Sequence, residues 1–297
     1  MSLWIPISLA AALVQTLRFL LQKQLKSLGM STGGATFSRF LFGLPLVWMV
    51  VGGFWLAGFQ SGPTTVTFWL WCLIGGLGQI IGTYCTVSLF SQRNFAVGIA
   101  FTKTETVQVA LFSALLLAEP VSGSGFAAIL AGMAGVVLLS WPKGAALGGA
   151  IWNRTLALGV VAGATFAISS IGYRAASLAL GKGHYVFRAA FSLGCVVTLQ
   201  TFMMLAFLAW REPQTISHVL RSWRATALVG LTGILGSLFW FTAFTLQNAA
   251  YVRAFGQVEL IFGLAAGWLF LRERVTQREL IGMALLGLSL LAIVLTS

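Results

Sequence analysis

The sequence predicts an all-α, polytopic membrane protein with ten transmembrane helices in two inverted five-helix repeats. Three observations predict it. Charged residues make up 8% of the 297 positions and hydrophobic residues 58%, whereas a soluble domain carries about 25% charged residues. Apolar runs of about 20 residues, each enough for one membrane crossing, recur along the whole chain. The chain also repeats itself: an ungapped shift of 154 positions lays residues 76–121 on 230–275 with 14 identities in 46 positions. A transmembrane barrel would show alternating segments of about ten residues, and none are present.

The apolar runs and their polar breaks place helices at 3–21, 34–57, 67–90, 95–117, 122–140, 155–178, 185–209, 225–246, 249–271 and 276–295. The opening MSLWIPISLAAALVQTLRFLLQ has neither a basic leader region nor a small-residue cleavage site, so it reads as the first membrane helix. Pro45 lies inside the second helix and is expected to kink it. Gly78xxxGly82, Gly159xxxGly163 and Gly263xxxGly267 are close-packing signals. Trp4, Trp55, Trp69, Trp141, Trp152, Trp210 and Trp223 lie near predicted ends and read as interfacial belts. The expected division is a first repeat at 1–140, a cytoplasmic linker at 141–154 and a second repeat at 155–297. Connections are short, so no extramembrane domain is expected.

Five spans per half is an odd number, so the second half enters from the opposite side. The loop charges agree. Lys23 and Lys26 fall in the first loop of half one and Arg93 in its third, while Lys143 and Arg154 lie in the joining loop. In half two, Arg211, Arg221 and Arg224 fall in the second loop and Arg272, Arg274 and Arg278 in the fourth, with Lys182 the main exception. Basic loops face the cytoplasm, which puts both termini in the periplasm of a bacterial inner membrane. A bias that swaps between halves is what an inverted repeat requires. The net charge of +12 is thereby explained as topology, and no nucleic-acid partner is expected.

The most informative repeat identities involve scarce polar residues: Asn94/Asn248, Glu105/Glu259 and Glu119/Glu273. Glu105 and Glu259 each lie about ten residues into an apolar run, roughly 15 Å from either face at a rise of about 1.5 Å per residue. A carboxylate at that depth is costly and marks a substrate or ion pathway. Lys103 shares the depth. The predicted site is Lys103, Glu105 and Glu259, joined by Gln257, Gln108, Arg253, Tyr84 and Trp240. One lysine cannot neutralise two carboxylates, and the repeat partner of Lys103 is Gln257. One glutamate is therefore expected to lack a cation, and so to exchange protons or bind a cationic substrate group. Gln108 follows Glu105 by one turn. Arg253 precedes Gln257 by one turn, where it serves either a substrate carboxylate or lipid headgroups. Tyr84 and Trp240 lie deep in the third and eighth helices, where they can line a cavity. The competing reading is that Lys103 and one glutamate form a structural ion pair. Gln15 and Gln79 are further polar positions within spans. Arg18, Arg39 and Arg188 lie within a turn of helix ends, where snorkelling or pairing is expected. Glu119 and Glu273 also close helices, where structural pairing is expected.

Other chemistry is not signalled. Cys72, Cys85 and Cys195 all fall in apolar runs without disulfide or metal-ligand spacing. His184 and His218 lie far apart in predicted loops. No metal or cofactor is expected. The chain has no GxxxxGK[ST] phosphate loop and no nucleophile with a plausible base, so an enzyme is not expected.

The stretches LLLAEPVSGSGFAAILAGMAGVVLL and LFLRERVTQRELIGMALLGLSLLAIVL resemble the paired EamA domains of the drug/metabolite transporter superfamily. Glu119 and Glu273 match the glutamate that closes the fourth helix in that pattern. Arg39 in SRFLFGL and Arg188 in FRAAFSL match an arginine opening the second helix. The resemblance covers almost all of the chain. It implies a ten-helix transporter whose halves surround a central cavity, often an exporter of small metabolites. The expectation is a secondary transporter working by alternating access and coupled to protons. A charge pair of both signs suits a zwitterionic or amphiphilic cargo such as an amino acid derivative. Alternatives are a carrier for organic amines and a flippase for lipid-linked intermediates. Ten helices can enclose a cavity within one chain, so a monomer among membrane lipids suffices.

Overall fold

A bilayer offers no hydrogen bonds to the backbone, which restricts lipid-exposed spanning segments to helices or closed barrels. The computed structural model describes residues 2–89, 102–140, 154–262 and 277–296, and every regular element among them is helical. In chain order these are α1 (Trp4–Ser27), α2 (Thr32–Leu41), α3 (Gly43–Leu56), α4 (Val66–Leu89), α5 (Glu105–Leu117) and α6 (Gly123–Ser140). Then follow α7 (Arg154–Ala179), α8 (Tyr185–Arg211), α9 (Pro213–Arg221), α10 (Trp223–Leu246), α11 (Ala249–Phe255), a 3₁₀ turn (Gly256–Val258) and α12 (Gln277–Thr296). Six spans among the described residues are long and apolar enough to cross a membrane: α1, α2 with α3, α4, α7, α8 and α10. Large apolar side chains such as Leu56, Leu115 and Leu295 face outward, as lipid contact requires. The protein is an integral membrane protein.

Several boundaries differ from expectation for identifiable reasons. The second predicted helix is divided at Phe42. Pro45 has no N–H to return to the carbonyl of Leu41, and the break seats α10, because a Cβ on Gly230 would stand 2.5 Å from the Phe42 Cβ. Helix α1 runs on to Ser27, so Lys23 and Lys26 lie on a helix instead of in a loop. Helix α9, with Pro213 at its start, occupies what reads as a loop, and it carries His218. Trp4 is not in an interfacial belt but is buried against Phe255, ring centroids 5.5 Å apart. Trp55, Trp69, Trp210 and Trp223 are exposed.

The fourth and ninth helices are the main correction. Each was expected to be continuous through its glutamate. Instead α5 begins at Glu105 after a turn at Lys103 and Thr104, and α11 ends at Phe255 in a 3₁₀ turn just before Glu259. Gly256 allows that turn to approach α10, since a Cβ there would stand 2.5 Å from the Trp240 ring. Residues 95–101 and 263–271 of these expected helices lie outside the described residues. So do Arg93, Asn94, Trp141, Lys143, Trp152, Gly263, Gly267 and Glu273.

Helix α1 packs along α10, α4 along α7 and α6 along α12, with α3 against α8 and α5 against α11. Small residues set the close approaches. A Cβ on Gly78 would stand 2.6 Å from the Thr165 carbonyl oxygen, and one on Gly163 would stand 3.0 Å from that of Thr102. Gly82 lies under the ring of Phe166, 2.8 Å from where its Cβ would be. The three cysteines are free and buried. Gly78→Ala, which drives a methyl into backbone of α7, should therefore destabilise the protein by about 1–3 kcal/mol. Gly52→Ala, with nothing within 4 Å of the new Cβ, should leave the melting temperature in detergent unchanged or slightly raised.

Candidate functional site

The two glutamates are paired crosswise. Lys103, from the first half, forms an ion pair with Glu259 of the second. Arg253, from the second half, grips Glu105 of the first through Nε and Nη2. All four side chains are largely buried, at 11% and 10% exposure for the first pair and 13% and 5% for the second. Bringing two ions out of water costs several kcal/mol each, and only close geometry with added hydrogen bonds offsets it. Both breaks in the helices serve that purpose. Glu105 stands in the first turn of α5, where unpaired N–H groups and the helix dipole favour an anion.

The two pairs are joined into one network. Gln15 on α1 donates through Nε2 to Glu259 Oε2 at 2.8 Å. Its Oε1 accepts from Trp240 Nε1 at 3.0 Å. The Trp240 ring lies under the Arg253 guanidinium at 5.0 Å, a cation–π contact, and stacks on Phe244. Glu105, Arg253, Trp240, Gln15, Glu259 and Lys103 thus form a continuous run across α1, α10 and both broken segments.

This network forms one wall of a cavity of about 630 Å³. Of the predicted site residues, Lys103, Glu105, Arg253, Glu259 and Trp240 line it. Gln108, Gln257 and Tyr84 do not. The amide of Gln108 donates to Thr104 at 3.3 Å and that of Gln257 to the Arg253 carbonyl at 3.5 Å, and Tyr84 is half-buried on α4. The expectation of a glutamate without a cation is overturned, because Arg253 supplies one. A comparison limited to repeat-equivalent positions overlooks it, since the position equivalent to Arg253 is Ile99.

Sequence reasoning also missed Arg18 and Arg39, which were expected at helix ends. They are 3% and 7% exposed and line the same cavity. Arg39 donates to Thr83 at 3.3 Å and to Ser237 at 3.0 Å. Tyr173 and Gln79 stand beside them, with the Tyr173 hydroxyl donating to Gln79 Oε1 at 3.2 Å and its ring stacked on Phe241. The signal available was that these arginines sit in spans with polar residues at 15, 79 and 83. Arg188 behaves as expected and donates to the Gly181 carbonyl near its helix start.

The cavity reaches Leu20 and the exposed Lys23, towards the C-terminal end of α1. A second polar cluster stands at the α5–α6 junction. Arg174 donates to both carboxylate oxygens of Glu119, at 2.6 and 2.8 Å, and through Nη1 to the carbonyls of Phe244 and Gln247 at 2.7 Å. Asn248 donates to the Glu119 carbonyl at 2.9 Å. Ala118, left-handed at φ 52°, turns Glu119 towards Arg174 at the cost of some backbone strain. Glu119 therefore has the structural pairing expected of it.

Membrane-length helices surround a cavity walled by buried charges. The EamA-like transporter family matches residues 153–295. The chain is 24% identical over 165 residues to the pseudopaline exporter CntI of Pseudomonas aeruginosa strain PAO1, covering 56% of this chain and 54% of that protein. The same protein of strain UCBPP-PA14 matches to the same extent. The chain thus spans about half the length of the curated relatives it matches. A crystal structure of a protein at 17% identity has the same fold, with a TM-score of 0.67 over 99% of this chain and 98% of the other.

Gln15→Leu should strand Trp240 Nε1 and one Glu259 oxygen together. Each buried group left unpaired costs about 1–3 kcal/mol, so a clear drop in melting temperature is expected. Gln108→Leu, off the cavity, should cost less. Equal effects of the two would contradict the network.

Proposed function

We propose that this protein is a secondary active transporter that exports a small polar or amphiphilic metabolite, such as an amino acid derivative, by alternating access. Coupling runs through protons exchanged at Glu105 and Glu259. The observation that carries this reading is the crossed pair of ion pairs on the cavity wall, each anchored at a break in a helix. Discontinuous helices at a cavity between two halves are how many transporters build their substrate site. An ion pair that can be opened by a proton or by a competing substrate group gives each half two alternative partners, as a rocking motion requires. The printed function of the Pseudomonas aeruginosa relative, a pseudopaline exporter, supports export.

The layout is part of the proposal: ten spans in two inverted repeats, divided at residues 141–154. The helix pairing supports it. Exchange of the two halves turns the α1–α10 pair into the α7–α4 pair, while α3–α8, α5–α11 and α6–α12 map onto themselves. The basic loops support an orientation with both termini in the periplasm of a bacterial inner membrane. In that orientation the cavity reaches the cytoplasmic side and the Glu119–Arg174 contact closes the periplasmic side. A monomer is sufficient for such a cavity.

The test is uptake of isotope-labelled amino acids and their derivatives into proteoliposomes under an imposed pH gradient. Glu105→Gln and Glu259→Gln should each lower the rate at least about tenfold and flatten its pH dependence, as expected when a proton-exchanging carboxylate is lost. Normal rates with unchanged pH dependence in both variants would refute the proposal.

A further inference from the structure

Among the described residues, five cationic side chains line the cavity (Arg18, Lys23, Arg39, Lys103 and Arg253), against two acidic ones, Glu105 and Glu259. Both carboxylates are already engaged, by Lys103 and Arg253. Among the described residues, neither Arg18 nor Arg39 forms an ion pair. Arg18 is 3% exposed, and its Nη1 has no hydrogen-bond partner. Its Nη2 reaches only the neutral Gln15 oxygen, at 3.5 Å. Arg39 is held by two neutral hydroxyls, those of Thr83 and Ser237. The chain contains six acidic residues, all glutamate. Of the other four, Glu119 is held by Arg174 and Glu212 bonds Ser31 and Thr215, while the side chains of Glu273 and Glu279 lie outside the described residues.

A buried guanidinium without an anion is among the costliest arrangements a protein can hold. Two of them facing one cavity need a counter-charge that enters with the cargo. We infer that the transported substrate is a small organic anion carrying at least two carboxylates, with Arg18 and Arg39 as its specificity-determining partners. The inference rests on the transport reading above and names the substrate class of the same site. A guanidinium matches a carboxylate through two parallel N–H···O bonds. The two arginines sit on different helices, α1 and α2, each with its own polar neighbours, which suits two separate anionic groups better than one compact phosphate. Phe19, Phe166 and Phe241 on the same walls provide apolar surface for a carbon skeleton. An amine substrate is disfavoured, because the two carboxylates that line the cavity among the described residues are already neutralised.

The experiment is a thermal-shift titration of the purified full chain in detergent with citrate, glutamate, glucose 6-phosphate and putrescine. Citrate should stabilise the protein most and putrescine least, and citrate binding should weaken as sodium chloride is raised. Arg18→Gln and Arg39→Gln should each weaken citrate binding about tenfold or more, with Arg221→Gln, on the exposed face of α9, unchanged. If a glutamine variant does not give a folded protein by gel filtration, Arg18→Lys and Arg39→Lys replace it and should weaken citrate binding at least about threefold, because the bidentate geometry is lost. Stabilisation by putrescine but not citrate overturns the inference, and so does a stronger effect of glucose 6-phosphate than of citrate. Unchanged affinity in the arginine variants overturns it too. Transport of amines in the proteoliposome assay sinks this inference alone, whereas citrate binding without any transport sinks the transport reading and leaves the anion site standing.

Discussion

Two buried carboxylates each held by a cation from the other half of the chain are the constraint on which the rest of this structure depends. Each half supplies the cation that pairs with the other half's glutamate. Lys103 stands two residues from Glu105 yet pairs with Glu259, and Arg253 stands six residues before Glu259 yet pairs with Glu105. The exchange ties the segments together across the centre of the fold. It also explains the backbone there, since a continuous helix would offer neither the turn at Lys103 and Thr104 nor the 3₁₀ turn at Gly256. Close approach of α10 to that turn, through Gly256 and Trp240, then allows Gln15 to bridge to Glu259 from α1.

The same charges make the cavity polar on one side while apolar surface faces lipid on the outside. Charge is concentrated at two levels. The crossed pairs and the two arginines line a cavity of about 630 Å³. At one end, Glu119 collects Arg174 and Asn248 and ties the α5–α6 junction to α7 and α10. Near the α1–α2 junction, Ser31 donates to Glu212 at 2.7 Å.

Much of this was legible in the sequence, and the reasons for the rest are physical. Membrane class and the six membrane-length spans among the described residues followed from apolar runs, because a bilayer leaves the backbone few alternatives. Glu105, Glu259 and Lys103 were found because their cost at mid-membrane is visible without coordinates. Arg253 was noticed but assigned no partner, because its neighbour in space lies 148 positions away. Arg18 and Arg39 were misread as snorkelling, since distance along a helix does not tell whether the side chain turns to lipid or inward. The breaks before Glu105 and Glu259 carry no proline, and their local signs, the polar run Thr102–Lys103–Thr104 and Gly256, read equally well as residues of a continuous helix facing a cavity. Pro45, by contrast, announced the break between α2 and α3. Helix α9 was missed because its composition is that of a polar loop, with Pro213 as the one local sign of a helix start.

The central claim is that Lys103 and Glu259 are coupled across the two halves of the chain. A double-mutant cycle on Lys103→Met and Glu259→Gln, read by reversible unfolding in mixed micelles, measures it most directly. The account predicts that each single change is strongly destabilising and that the double variant costs less than their sum by about 1–3 kcal/mol. Additivity within about 0.5 kcal/mol, the behaviour of distant and independent sites, would contradict it.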